Sequence, residues 1–525
     1  MTSRATAARA ISLGALLIAA HTVGAQSSAA VLRERVRAYR VAHEGAIVRE
    51  FGALLALPNV YGDQAGIRRN AAALVAMLEK RGVRARLLEI GEGSPAVYGE
   101  LPALSATHTV ALYAHYDGQP LDPAQWSTPP WTPTLRERSA ADGGAVIPFP
   151  ATDDALVSGE ARIYARSASD DKASIIAMLA GLDALRAAGQ QPTVNLKFFF
   201  EGEEEAGSPH LGQILEKFRD VLAADAWLFC DGPVHQNGRK LVSFGARGVA
   251  SLELTVYGAS RPLHSGHYGN WAPNPGAMIA TLIAGMRDDD GHITIANFYD
   301  DVRAVAPAEH AAVAALPTID DELRRSLALG RTEANGALLG ERIMLPALNV
   351  RGIQVGAVGE RAANAIASEA RASFDFRLVP NQTPARVREL VETHLRTRGY
   401  FVTSDSVTVA MRLAHPKVVR AEWGSGYPAS RVSLELPFAR ALVRAVGDGT
   451  DQPPLAMPTV GASGPMYLFE QILKVPMLSL PIANYDNNQH AANENLRIKN
   501  LWDGVEMYAA LMSRLGGYWS GRMVP

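Results

Sequence analysis

Residues 198–208 read Phe-Phe-Phe-Glu-Gly-Glu-Glu-Glu-Ala-Gly-Ser, so Glu201, Glu203, Glu204 and Glu205 follow directly on an aromatic run. A carboxylate can ligate a divalent cation, or take and return a proton in hydrolysis. An acid run by itself is most often a solvated turn. This one abuts a stretch with the composition of a buried strand and is followed by Gly and Ser, not Lys. Matching chemistry recurs along the chain. His115 and Asp117 stand two apart, Asp170 opens a helical pattern, and Asp231 follows Ala-Trp-Leu-Phe-Cys. Imidazole and carboxylate in this mixture suit a metal site or an acid/base site.

The elements that must position these residues are short apolar strands. Residues 109–114 have the length of a buried strand and deliver His115-Tyr116-Asp117-Gly118. Residues two apart in an extended chain point to the same side, so His115 and Asp117 can lie together as a ligand and its orienting carboxylate. Residues 194–200 deliver the glutamates, and 226–230 deliver Asp231. A strand over 162–166 leads through Ser167-Ala168-Ser169 to Asp170, at the predicted N-cap of an amphipathic helix over about 171–188. A plain helix cap would also favour a carboxylate there. Four successive strands that stop on, or lead into, His, Asp, Glu and Asp form a constellation at the rim where open α/β sheets bind ligands. Cys230 should point the opposite way from Asp231 and belong to the core.

The frame around them is an ordinary globular one. The chain has 525 residues, 48% hydrophobic and 20% charged, enough for two to four domains with ample core. Its net charge of −2, from 51 basic and 53 acidic residues, gives no electrostatic case for nucleic acid. One cysteine excludes an internal disulfide. Residues 1–25 read as a signal peptide: Arg4 and Arg9, a short apolar core from Ala10 to Ala20, and Val23-Gly24-Ala25 before the cut. That predicts a secreted or periplasmic protein with no stable membrane span after processing. Helical patterns cover 29–58, 66–81, 209–223, 433–447 and 499–515, and residues 122–160 read as a long irregular connection. Alternating strands near 250–257 and 370–377, with helices near 275–287 and 317–329 between them, mark 247–412 as an α+β unit inserted into an α/β domain formed by 26–246 and 413–525.

Five ordered motifs make the whole specific: Tyr113-Ala-His115-Tyr-Asp117-Gly, Ala168-Ser-Asp170-Asp-Lys172, Glu201-Gly-Glu-Glu204-Glu205-Ala-Gly-Ser208, Leu263-His264-Ser265-Gly266 and Gln489-His490-Ala-Ala-Asn-Glu494. From about residue 40 onward the chain resembles the dizinc aminoacylase/carboxypeptidase/carnosinase-type metallopeptidases. The resemblance implies a mixed-sheet catalytic domain with helices on both faces and an inserted lid/dimerisation domain, hence a homodimer. It implies that Asp170 bridges two divalent cations, that His115 and Asp231 complete one, and that Glu205 and His490 complete the other. Zinc suits these ligands, and carboxylate-rich sites also accept manganese or cobalt. Glu204 becomes the general base and Asp117 holds His115. His264 matches a histidine that reaches the partner subunit's site and stabilises the oxyanion. Arg377 matches an arginine that grips the substrate carboxylate, with Asn364 and Ser463 at further substrate contacts.

The chain also departs from that pattern. Ala165-Arg166-Ser167 stands where Gly-Arg-Gly is usual, and Ala173 stands where a glycine is common. Each loses backbone freedom in the loop before or after Asp170, which puts the loop's shape in question more than its chemistry. The resemblance leaves two substrates open: a dipeptide or short peptide, or an N-acyl amino acid cleaved by the same chemistry. In the family the chain resembles, Asp at the position of Asp231 goes with aminopeptidase or dipeptidase action and Glu with carboxypeptidase action. A catalytically dead binding domain on this fold would have lost Glu204 or a ligand, and none is lost.

Overall fold

The longest apolar runs become the centre of an eight-stranded mixed sheet. In the computed structural model, which describes residues 29–519, its strands lie in the order Arg84–Leu88, Ala96–Leu101, Asn195–Glu201, Thr109–His115, Ala226–Phe229, Met477–Ser479, Leu241–Ser243 and Leu455–Met457. The expected signal peptide, 1–25, lies outside the described residues. Asn195–Glu201, Thr109–His115, Ala226–Phe229 and Met477–Ser479 run parallel, whereas Arg84–Leu88 with Ala96–Leu101, Ala96–Leu101 with Asn195–Glu201, and Met477–Ser479 with Leu241–Ser243 pair antiparallel. Parallel strands are covered on both faces, which is why these read as continuous apolar runs. Phe198, Phe199, Phe200, Leu112, Tyr113 and Trp227 are fully buried.

Register brings the strand ends level. His115 pairs with Glu201, and Tyr113 pairs with both Phe199 and Phe229. The side chains that leave these ends therefore emerge along one rim. Behind Asp170 runs the helix Lys172–Ala187, packed against the C-terminal helix Ile498–Tyr518. Their contact is close enough that a Cβ on Gly181 would stand 3.0 Å from the carbonyl oxygen of Val505. The predicted helix over 29–58 is two, 29–42 and Glu44–Leu55, and that over 209–223 breaks at Phe218 into Leu211–Lys217 and Arg219–Leu222.

The connection 122–160 is more ordered than its Pro/Gly composition suggests. Thr134–Arg136 pairs with Val146–Ile147 and with Arg162–Tyr164, and Asn495–Arg497 completes a four-stranded antiparallel sheet.

The described residues form two compact units, one of 29–243, 433–456 and 468–519, the other of 244–432 and 457–467. The second unit is longer than the expected 247–412 because Val418–Trp423 pairs with Gly248–Tyr257, deep in its own sheet. That sheet has the order Ala347–Gln354, Glu369–Leu378, Gly248–Tyr257, Val418–Trp423, Phe401–Thr403. The two alternating segments pair antiparallel, with Val249 opposite Arg377. Leu252, Leu254, Phe374 and Phe376 form one apolar core with Ile279 and Leu282 of the helix Pro275–Met286 and Val387 and Val391 of Pro384–Thr397. The helix expected over 317–329 is only Asp320–Ser326, with Pro307–Ala314 before it. Among the described residues no helix is long and apolar enough to cross a membrane.

Candidate metal centre and active site

The rim of the first unit gathers the predicted ligands into one cluster. His115 Nε2 lies 2.7 Å from Asp170 Oδ1 and 3.9 Å from Asp231 Oδ2. His490 Nε2 lies 3.0 Å from Asp170 Oδ2 and 3.3 Å from Glu205 Oε2. Asp170 thus faces a histidine with each oxygen, and each histidine has a second carboxylate beside it. Asp170 and Glu205 side chains are buried, whereas His490 is 55% exposed and marks the open side. It is presented by a loop with left-handed residues at Asn488, His490 and Asn493.

Asp117 joins two parts of the cluster. Its Oδ1 faces His115 Nδ1 at 3.3 Å and accepts the Glu204 amide at 3.2 Å, while Oδ2 accepts the Glu205 amide at 3.0 Å. One buried carboxylate so orients the histidine ring and caps the turn Glu204–Ala206 that carries both glutamates. On that turn Glu205 points to His490 and to Gln119, whose Nε2 donates to Oε2 at 2.8 Å. The Glu204 carboxylate, among the described residues, makes no hydrogen bond or ion pair.

Electrostatics within the cluster call for cations. Burial, then the charge of Asp170, push the Asp231 carboxyl up to about 7 and that of Glu205 up to about 8. Burial raises Glu204 well above the carboxylate range, with His115 opposing and Asp231, Asp170 and Glu205 adding to the shift. Burial also raises Asp170, but the hydrogen bonds from His115 and His490 outweigh it and hold Asp170 below the usual range. Its bond to Asp170 lifts His490 to about 9. Burial works against a charged His115, yet Asp117 and Asp170 raise it overall. Asp231 Oδ1 is buried and has no hydrogen-bond partner among the described residues. So many carboxylates at one desolvated point repel one another, and divalent cations relieve that repulsion. Donor atoms of His115, Asp170 and Glu205 fall within 4.8 Å of one another, as do those of His115, Asp171 and Asp231. The donor set fits two cations.

Several contributors escaped the sequence reading. Asp171 is fully buried beside His115, and burial pushes its carboxyl well up. Only the Asp-Asp doublet hinted at it. Gln489 Nε2 donates to Asp170 Oδ2 at 2.7 Å. Glu494, quoted as the last residue of a motif but given no part, accepts hydrogen bonds from four residues of the 166–170 segment. Cys230 is buried, as expected.

The remaining predicted residues belong to the second unit and form two groups there. His264 precedes the short helix Ser265–Tyr268, accepts the Gly266 amide at Nδ1 (3.1 Å) and is exposed. It pairs with Ala365, next to Asn364, whose carbonyl accepts the Ser265 amide at 2.9 Å. Arg377 donates from Nε to Asp375 Oδ2 at 2.9 Å and from Nη1 to Ser463 Oγ at 2.9 Å. A guanidinium held by one carboxylate and one hydroxyl keeps a fork edge free for an anion.

The chain is similar to known proteins over most of its length. A Cys-Gly metallodipeptidase, dug1, of Schizosaccharomyces pombe is 26% identical over 426 residues, covering 80% of this chain and 83% of that protein. The human Beta-Ala-His dipeptidase is 25% identical over 426 residues, covering 79% and 76%. The crystal structure of Sso-CP2, an M20 family metallo-carboxypeptidase from Sulfolobus solfataricus, superposes with a TM-score of 0.72 at 27% identity, over 90% of this chain and 99% of that one. Residues 111–514, from the strand that presents His115 into the C-terminal helix Ile498–Tyr518, match the family described as peptidase family M20/M25/M40. The chain therefore belongs to that family, and it is a metal-dependent peptidase.

Proposed function

We propose that the protein is a dipeptidase that hydrolyses the amide bond of dipeptides and short peptides. The observation that carries this is Glu204: a carboxylate with no hydrogen-bond or ion-pair partner among the described residues, on a turn fixed by Asp117, beside a cluster that fits cations. His115, Asp231 and Asp170 would hold one cation, and Glu205, His490 and Asp170 the other, with zinc the best match to the donors. Two divalent cations, when bound, supply Lewis acidity that polarises a carbonyl and lowers the pKa of water. Glu204 takes a proton from the attacking water as the new C–O bond forms. It returns that proton to the amine nitrogen as the C–N bond breaks, leaving a carboxylate and an amine. His264 would donate to the developing oxyanion from the partner subunit of a homodimer. Arg377 would bind the substrate carboxylate, with Ser463 and Asn364 beside the substrate. Residues 1–25 would direct the protein to the periplasm or outside the cell. Both curated relatives are dipeptidases by name, which weighs against the N-acyl amino acid reading.

The test is a matched panel of dipeptides and N-acyl amino acids, with zinc, manganese or cobalt added and with chelator. Metal-restored cleavage of dipeptides supports the proposal. Cleavage of N-acyl amino acids with dipeptides untouched overturns it.

A further inference from the structure

Ser167 stands where the resemblance leads one to expect glycine, and the backbone there keeps a glycine-like conformation. Ser167 has φ +63°, in the left-handed region that a residue with a Cβ enters at a cost. Ala173, the other departure, lies in the regular helix Lys172–Ala187, where no such freedom is needed.

Two buried side chains hold Ser167 in place. From one side Asn59, fully buried, donates from Nδ2 to Ser167 Oγ at 2.8 Å and to the Tyr116 carbonyl at 2.7 Å. From the other, Glu494, also fully buried, accepts at Oε2 from the Ser167 amide (3.0 Å) and Arg166 Nη1 (2.8 Å). At Oε1 it accepts from the Ser169 amide (2.9 Å), Ser169 Oγ (3.0 Å) and the Asp170 amide (3.0 Å). Five donors converge on this one carboxylate, and the last is the backbone of the bridging aspartate.

We infer that Glu494 and Asn59 are positioning residues that clasp Ser167 in a left-handed turn, and that this clasp sets Asp170 to bridge two cations. The clasp replaces the glycine: Asn59 reaches a hydroxyl that glycine does not have, so conformational permissiveness gives way to an added hydrogen bond. A buried carboxylate already saturated by five donors cannot itself ligate, which separates Glu494 from the ligand set. Outer partners of this kind typically set metal affinity by about 10–100-fold.

The inference rests on the proposed role of Asp170, and the experiment separates the two. Cation affinity is measured by chelator competition, and cobalt-substituted protein is followed by its visible absorption, which reports ligand geometry. If the wild type binds no cation, the site reading itself fails. If it binds two, Glu494→Gln, which sets an NH2 against backbone donors, should weaken binding at least tenfold and change the cobalt spectrum. Ser167→Ala, which keeps the Cβ and loses the Asn59 half of the clasp, should bind more weakly than Ser167→Gly, which suits the left-handed backbone. Asn59→Ala, which cuts the same hydroxyl bond and also the bond to the Tyr116 carbonyl, should weaken binding at least as much as Ser167→Ala. Wild-type affinity and spectrum in Ser167→Ala overturn the inference, whether or not Glu494→Gln folds.

Discussion

Asp117 accepts the backbone amide of Glu204 through the same oxygen that faces the ring of His115. The histidine proposed as a ligand and the proposed base are thus aligned by one buried side chain. Asp117→Asn turns one acceptor into a donor that faces backbone amides or the imidazole. Losing a hydrogen bond to a charged group costs about 1.5–3 kcal/mol. We expect a lower melting temperature and a fall in kcat of about 10–100-fold that exceeds any loss of bound metal. Metal analysis beside steady-state kinetics checks it.

Cation binding should release protons. Asp231 and Glu205 hold theirs up to about pH 7 and 8, and His490 up to about 9. Each must be deprotonated to ligate, so protons compete with the cation below these values and affinity rises as pH rises from about 6 to 9. Calorimetry of the metal-free protein in two buffers of different ionisation enthalpy reads the release directly. Equal heats in both buffers at pH 7 would contradict it.

Arg377 tests substrate recognition apart from chemistry. Arg377→Met should raise KM for dipeptides at least tenfold, and the deficit should nearly vanish for dipeptide amides, which lack the carboxylate. The bound metal should be unchanged. An equal effect on both substrates would mean that Arg377 serves only Asp375 and Ser463.

Glu506 anchors the helix 29–42. Its buried carboxylate meets Arg37 at 2.8 Å and Arg40 at 3.2 Å, with Arg33 at 3.5 Å. Arg37 is half exposed and solvent screens it, so Glu506→Ala should cost only about 1–2 kcal/mol. Limited proteolysis should then cut within 29–42 before the rest of the unit unfolds.

The sequence displayed local features and hid the distant ones. Strand runs ending in His115, Glu201 and Asp231 were legible because parallel strands must be apolar throughout and must stop abruptly at a polar rim. His264 and Arg377 stood out only through motif resemblance. Glu494 had no local mark, since its donors lie more than three hundred residues earlier in the chain. The hairpin joining Arg136 to Val146 was masked by glycine and proline, which signal loops whether or not short strands flank them. The pairing of Val418–Trp423 with Gly248–Tyr257 was not legible, because an antiparallel partner strand looks the same from either domain.

The most direct test is Glu204→Gln, compared with wild type for bound metal and for single-turnover dipeptide hydrolysis. The amide keeps the shape of the side chain and removes its basicity. The account predicts two cations per chain in both proteins and a loss of turnover of about 10²–10⁴-fold in the variant. Hydrolysis at the wild-type rate by metal-loaded Glu204→Gln would contradict it.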